Sequence, residues 1–169
     1  EKACEEVGFH SVVLRWPAPA TEEQILEQVR AWNADDRIHG ILVQLPLPRH
    51  VNEARILLAI SPTKDVDGFH PENVGRLVVG LPGFVSCTPA GIMELLERSH
   101  IETKGKHAVV VGRSNIVGKP MANLLYQKHR TNAIVTICHT AAPDLSYYTR
   151  QADILIAAVG VPRLIGADD

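Results

Sequence analysis

His107-Ala-Val-Val-Val-Gly-Arg-Ser-Asn-Ile-Val-Gly-Lys-Pro120 is the stretch whose reading decides the fold. Ala108 to Val111 is a short β-branched apolar run, the pattern of a strand buried on both faces. It stops at Gly112, and Gly118 comes six residues later. Pro120 then falls in the first turn of a helix, where its missing N–H costs nothing. That helix carries Met121, Leu124 and Leu125 at helical spacing. Strand, glycine turn and helix N-terminus together make a place for an anion, because open backbone N–H groups and the helix dipole both favour a phosphate there. The residues alone leave two readings, a nucleotide site or an ordinary βα turn of any α/β domain. Neither common fingerprint settles it. Ser114 stands where G-x-G-x-x-G requires its second glycine. A P-loop has four residues between its glycines and Ser or Thr after the lysine, whereas here five intervene and Pro120 comes after Lys119.

The chain beyond Pro120 favours the nucleotide. A strand from Ala133 to Cys138, a helix around Leu145 to Ala152 and a strand from Asp153 to Val159 give β-α-β-α-β, one mononucleotide-binding half of a doubly wound fold. Right-handed crossovers align the carboxyl ends of such strands. Gly112, Cys138-His139-Thr140 and Gly160 are therefore expected along one crevice. No acid stands at His139-Thr140 to hold a ribose hydroxyl, and Arg113 projects from the first turn. Both features suit a 2′-phosphate, hence NADP. Read by itself, Arg113 is equally a solvated turn residue.

The first half of the chain has a related rhythm. Glu1 to Val7 reads as the end of a helix closed by Gly8. Ser11-Val-Val-Leu-Arg-Trp16 reads as a strand broken by Pro17 and Pro19. Thr21 with Gln24 is a capping box, opening a helix that places Ile25, Leu26 and Val29 on one face. Gly40 to Leu45 is a second strand ended by Pro46 and Pro48, and Asn52 caps a helix through Ala54, Ile56, Leu57 and Ile60. From Ser61 to Cys87 periodicity is lost, and Lys64-Asp-Val-Asp-Gly-Phe-His-Pro71 sets three charges beside a glycine turn. Thr88 is the expected N-cap, and Pro89 the first position, of a helix bearing Ile92, Leu95 and Leu96. That helix would bridge two lobes, with the boundary near Ser86, giving domains 1–86 and 87–169. The expected fold is α/β and two-lobed, an N-terminal α/β domain followed by a Rossmann-like parallel-sheet dinucleotide-binding domain.

Composition narrows the function. A chain of 169 residues, 46% of them hydrophobic, can bury one good core or two small ones. Net charge is −2 with no basic cluster, which argues against nucleic acid as the main partner. Cys4, Cys87 and Cys138 match no zinc or disulfide spacing, pointing to a reducing compartment. The eight histidines form no ligand constellation, so no metal is assigned. His70 and His139 fall near the expected clefts, and loop packing accounts for each. No apolar run is long enough to span a membrane. The chain begins at Glu1 without a methionine and reads as cut at both ends.

Ile41-Leu-Val-Gln-Leu-Pro-Leu-Pro48, Lys64-Asp-Val-Asp-Gly-Phe69, Cys87-Thr-Pro-Ala-Gly91 and Gly112-Arg-Ser-Asn-Ile-Val-Gly-Lys-Pro120 occur in the order and spacing of one family. The chain closely resembles the bifunctional methylenetetrahydrofolate dehydrogenase/methenyltetrahydrofolate cyclohydrolases of one-carbon metabolism, from Glu1 to Asp169. That family uses Gly-x-Ser-x-x-x-Gly-x-Pro at its cofactor turn, which accounts for the unusual glycine spacing. The resemblance makes domain 1–86 the folate-binding, catalytic one. It matches Gln44 to the glutamine that hydrogen-bonds the catalytic lysine, and Asp67 to the aspartate that grips the pterin ring. Gly112, Arg113 and Ser114 match the turn contacting NADP, and Thr140 stands where the family has Ser or Thr near the 2′-phosphate. It further implies tetrahydrofolate substrates, a homodimer and a cytoplasmic enzyme.

The implied chemistry suits these residue types. Oxidation of 5,10-methylenetetrahydrofolate is a hydride transfer in which the folate nitrogens stabilise the cation, so the protein mainly holds two rings face to face. Hydrolysis to 10-formyltetrahydrofolate needs a proton-handling group, in the family the lysine of a Tyr-x-x-x-Lys motif. That lysine is expected one residue before Glu1, so Lys2 is only its neighbour and is given no catalytic role. The chain as it stands is expected to lack hydrolase turnover. Two alternatives stay open: a monofunctional or NAD-dependent relative, and a dinucleotide-binding module that is not an enzyme.

Overall fold

The computed structural model describes residues 2–17 and 19–167. Its centre is the strand β1 (His107–Val111), in which Ala108 to Val111 are fully buried. A run of Val and Ala without polar side chains can fill that position because it has apolar neighbours on both faces. Strands β2 (Ile134–Cys138) and β3 (Ile154–Ala157) flank it, both parallel to it. The register sets Val111 opposite Cys138 on one side and Ala157 on the other, so all three strands end at one level.

On one face, α6 (Gly118–Leu125) lays Met121, Ala122 and Leu125 on Ala108 and Val110. Ile92, Met93 and Leu96 of α5 (Cys87–Arg98) pack beside them. On the other face, Leu145, Tyr148 and Ala152 cover Val109, Val111 and Cys138. The helix expected over Leu145 to Ala152 is only the single turn α7 (Ser146–Thr149).

The strand order is β2-β1-β3. A mononucleotide-binding half of the usual order would place the third strand outside the second. Here it returns to the far side of β1. The chain reverses direction across the sheet, so a right-handed crossover must carry its helix on the opposite face. The β1/β3 boundary thereby becomes the topological switch point, beyond whose strand ends open α/β sheets bind ligands.

The N-terminal half is built differently. Helices α1 (Lys2–Glu6), α2 (Glu22–Ala34) and α3 (Glu53–Ala59) form where their signals predict. Thr21 and Gln24 make the capping box, and the Asn52 side chain accepts from Arg55 N–H at 3.2 Å. Leu26, Val29, Ile41, Val51, Ile56 and Ile60 make a separate core.

Neither strand expected in this half forms a ladder. Gly40 to Leu45 contributes one isolated parallel bridge, Ile41 to Asp65. Ser11 to Trp16 pairs with no strand among the described residues, and Val12, Val13 and Leu14 stay 45–46% exposed. An apolar run becomes a strand only when a neighbour satisfies its backbone.

Two further corrections concern helices. The stretch read as aperiodic contains α4 (Pro71–Val79), with Pro71 at its first position and Gly80 at φ 75° closing it. Helix α5 starts before the expected Thr88 cap, with Ser86 at the cap position, so Pro89 lies at its third residue.

Candidate active site between the two halves

The site is assembled from three turns. The first leaves the end of β1. Gly112 has φ 127°, and a Cβ there would stand 2.2 Å from the Ala158 carbonyl oxygen. Only glycine allows the turn to leave β1 so close to the end of β3. Its N–H donates to the Cys138 carbonyl at 2.8 Å, which ties the turn to β2 as well.

The donors available to an anion are not the helix amides the sequence suggested. Val117 and Gly118 N–H donate to Ser114 Oγ at 3.1 and 3.2 Å, Lys119 N–H donates to the Ser114 carbonyl at 3.0 Å, and Pro120 has no N–H. Ser114 therefore caps α6 from within the turn. The backbone N–H groups of Arg113, Ser114, Asn115 and Ile116 make no hydrogen bond among the described residues. The unpaired donors lie in the turn itself.

Arg113 is exposed, and its guanidinium has no partner among the described residues. It lies two residues beyond Val111, and Thr140 two beyond Cys138; these two form a register pair on adjacent parallel strands. Arg113 and Thr140, also exposed, thus leave the sheet at the same level of its carboxyl edge.

The second turn is Lys64 to Phe69. Lys64 Nζ donates to the carbonyls of Trp32, Asn33 and Asp35 at 2.8–3.0 Å, fixing the turn to the carboxyl end of α2. Asp65 is 2% exposed and accepts from Phe69 N–H, His70 N–H and Asn73 Nδ2. Two of the three charges flagged by the sequence are therefore structural. Asp67 differs, since it is half-buried and accepts no hydrogen bond among the described residues. Burial first, and the nearby Asp65 carboxylate second, push the Asp67 carboxyl above its usual range. A carboxylate so placed lacks donors that a ligand could supply.

The third turn, Phe84 to Cys87, joins the other two. Ser86 is buried and donates from Oγ to the Ile116 carbonyl at 2.5 Å. Cys87 Sγ lies 3.9 Å from the Val66 carbonyl. Asp67's neighbour and the glycine turn thus touch consecutive residues at the start of α5. Ser86 and Asp65 carry this geometry, and the sequence by itself gives neither a role in the site. Nothing local marks Ser86, whereas Pro71 and Gly80 are boundary signals for the helix that Asp65 leads into.

Gln44 lies apart from these contacts. It is exposed, and among the described residues its Nε2 donates only to the adjacent Leu45 carbonyl at 3.0 Å. The Ile41–Asp65 bridge brings its segment alongside the one that carries Asp67. No group of three or more His, Cys, Asp or Glu able to hold a metal occurs among the described residues.

Two family profiles divide the chain at these turns. Residues 1–67 match the tetrahydrofolate dehydrogenase/cyclohydrolase catalytic domain. Residues 86–169 match the NAD(P)-binding domain of the same family. The Bifunctional protein FolD of Chlorobium chlorochromatii is 59% identical over 99% of this chain and 58% of its own length. The chain thus spans little more than half the length of the curated relatives it matches. Among solved structures, the bifunctional FolD methylenetetrahydrofolate dehydrogenase/cyclohydrolase of Campylobacter jejuni superposes with TM-score 0.94 at 49% identity, over 99% of this chain and 58% of that one. The Trypanosoma brucei enzyme, solved with NADP and an inhibitor, superposes with TM-score 0.89 at 39% identity, over 95% of this chain and 55% of that one. Two consecutive domain profiles, a glycine turn at a topological switch point and near-complete alignment lead to one conclusion: the chain belongs to the tetrahydrofolate dehydrogenase/cyclohydrolase family.

Proposed function

We propose that this chain carries the folate cleft and the dinucleotide site of a bifunctional one-carbon enzyme. The enzyme oxidises 5,10-methylenetetrahydrofolate with NADP and hydrolyses 5,10-methenyltetrahydrofolate to 10-formyltetrahydrofolate. Residues 1–86 serve the folate and residues 87–169 the dinucleotide. The observation that carries this reading is the chain of contacts through Ser86 and Cys87, which sets the Asp67 turn beside the turn after β1.

The turn fits a dinucleotide phosphate, because Gly112 leaves no side chain in the way and four consecutive N–H groups have no partner among the described residues. Gly112, the Ser114 hydroxyl and those amides would hold the diphosphate, while Arg113 and Thr140 would hold the 2′-phosphate. NADP, when bound, supplies the hydride acceptor. Asp67 orients the folate, since its oxygens can accept from both the amino group and a ring N–H of a pterin. Gln44 holds the lysine that handles the proton of the hydrolysis, and no lysine of this chain is given that role. A homodimer in the cytoplasm accords with the reading. The three cysteines are free, and no helix among the described residues is long and apolar enough to cross a membrane.

The test uses the full-length protein with 5,10-methylenetetrahydrofolate and either dinucleotide. A charge-assisted hydrogen bond of about 1.5–3 kcal/mol makes the Arg113→Ala variant roughly 10- to 100-fold weaker for NADP with little change for NAD. Equal losses for both cofactors would show that Arg113 does not read the phosphate. Absence of turnover with either dinucleotide would overturn the assignment of function.

A further inference from the structure

Asp65 is as deeply buried as the apolar core residues around it, at 2% exposure. A carboxylate in such a place is expensive unless every lone pair is used. Here Oδ2 accepts from His70 N–H and Asn73 Nδ2, both at 2.9 Å, and Oδ1 from Phe69 N–H at 3.3 Å. Asn73 is itself buried, and its Nδ2 also reaches the Pro62 carbonyl at 2.9 Å, on the other side of the turn. The Lys64 carbonyl accepts from Ile41 N–H at 2.7 Å, so the same turn is bonded to the Gln44 segment. Gly68, at φ 66°, passes so close to the next turn that a Cβ would stand 2.8 Å from the Phe84 carbonyl oxygen.

All of these bonds surround Asp67, and none is made by it. We propose that Asp65 is the positioning residue of this site: its buried carboxylate, bonded to Phe69, His70 and Asn73, fixes the direction in which the turn presents Asp67 to the folate. The inference rests on the folate reading above and adds a residue that touches no substrate. It makes the rigidity of Asp67 a property of the start of α4, because three of the bonded groups belong to that helix or its approach.

Asp65 also acts through its charge, as one of the two causes that raise the Asp67 carboxyl. Other ionisable groups near this turn are engaged elsewhere or stand on neighbouring elements. Lys64 is on the α2 carbonyls, His70 Nδ1 accepts from Glu72 N–H, Arg76 pairs with Glu72, and Cys87 faces Val66. Asp65→Asn keeps the shape while removing the charge and one acceptor.

The experiment is steady-state kinetics of the full-length protein, with methylenetetrahydrofolate and NADP varied separately across pH. Asp65→Asn should raise the folate KM about 10-fold or more while the NADP KM stays within roughly 2-fold. Its acidic limb of kcat/KM should move to lower pH, because the Asp67 carboxyl releases its proton more readily once the negative neighbour is gone. Asn73→Ala, which leaves both backbone bonds of Asp65 intact, should raise the folate KM in the same direction by less and leave the limb in place. It supplies the reading if Asp65→Asn does not fold. Equal changes in both KM values, or an unmoved limb in Asp65→Asn, would overturn the inference. An unchanged folate KM in Asp67→Asn would instead overturn the folate reading on which it rests.

Discussion

β1 and the segment Gly40 to Leu45 begin as similar material, short apolar runs entered from a polar loop, and they end differently. Each residue of β1 from Ala108 on is paired on both sides and covered on both faces. The earlier segment makes one bridge, at Ile41, and Leu42 remains 57% exposed. The carboxyl-terminal half is therefore held by a ladder. The amino-terminal half has an apolar core but no ladder, and side chains that reach across to backbone tie its segments together. Asn33 bridges the Ala59 carbonyl and Ser61 N–H, Lys64 caps α2, and Asp65 gathers the start of α4. A ladder distributes its strength over many equivalent bonds, whereas such a lobe depends on a few irreplaceable side chains.

The sharpest way to break this contrast is at Gly112. Ala there combines a backbone conformation that L residues avoid with a contact of 2.2 Å against Ala158. Gly112→Ala should destabilise the protein by more than about 3 kcal/mol, read from denaturant midpoints at constant slope. A loss under about 1 kcal/mol would mean that the junction of β1 and β3 yields as readily as a surface loop.

A smaller effect is expected from Lys64→Met, which keeps the apolar stem and removes three charge-assisted bonds at the end of α2. The cost should be about 1.5–3 kcal/mol, with faster amide exchange in the last turn of α2 and unchanged exchange in β1. Equal acceleration in both halves would show that they unfold as one unit and would dissolve the comparison.

The smallest change has the opposite sign. Asp67 binds its proton more tightly folded than unfolded, so stability falls as pH rises from about its ordinary value of 3.8 through the raised one. Above that window the ionised group is a cost, and Asp67→Asn should be more stable than the parent at neutral pH. The difference should disappear in acid, where both side chains are neutral. Thermal unfolding at several pH values measures it. A variant that is less stable at neutral pH would mark Asp67 as a structural residue and weaken its assignment to the folate.

Local signals were legible wherever a segment decides its own conformation. The capping box at Thr21, the cap at Asn52 and the glycine at Gly8 needed no distant partner, and each stands as the residues indicate. The β1 run was legible because its β-branched apolar residues stop at the Gly112 turn and are followed by helix signals at Gly118 and Pro120. The motifs at Gln44, Lys64, Cys87 and Gly112 identified the family as a set, since their order and spacing are joint constraints. Individually, the residues of those motifs were ambiguous. Asp65 and Asp67 stand two apart with the same chemistry, yet one is a buried bonding centre and the other an acid without a hydrogen-bond partner among the described residues.

Tertiary structure alone decided the rest, for a common physical reason. Whether Ser11 to Trp16 is a strand depends on a neighbour, because backbone ladders are made between segments. The place of β3 beside β1 depends on which face its crossover covers, and both arrangements satisfy the same hydrophobic pattern. Which donors remain open after β1 depends on Ser114, whose hydroxyl consumes the helix amides that a linear reading leaves free. The juxtaposition of the Asp67 turn with the glycine turn depends on contacts between distant segments, among them the Ser86–Ile116 hydrogen bond spanning thirty residues and the approach of Cys87 to Val66. Sequence determines what each segment can do alone, and packing determines which unsatisfied groups are left to meet a ligand.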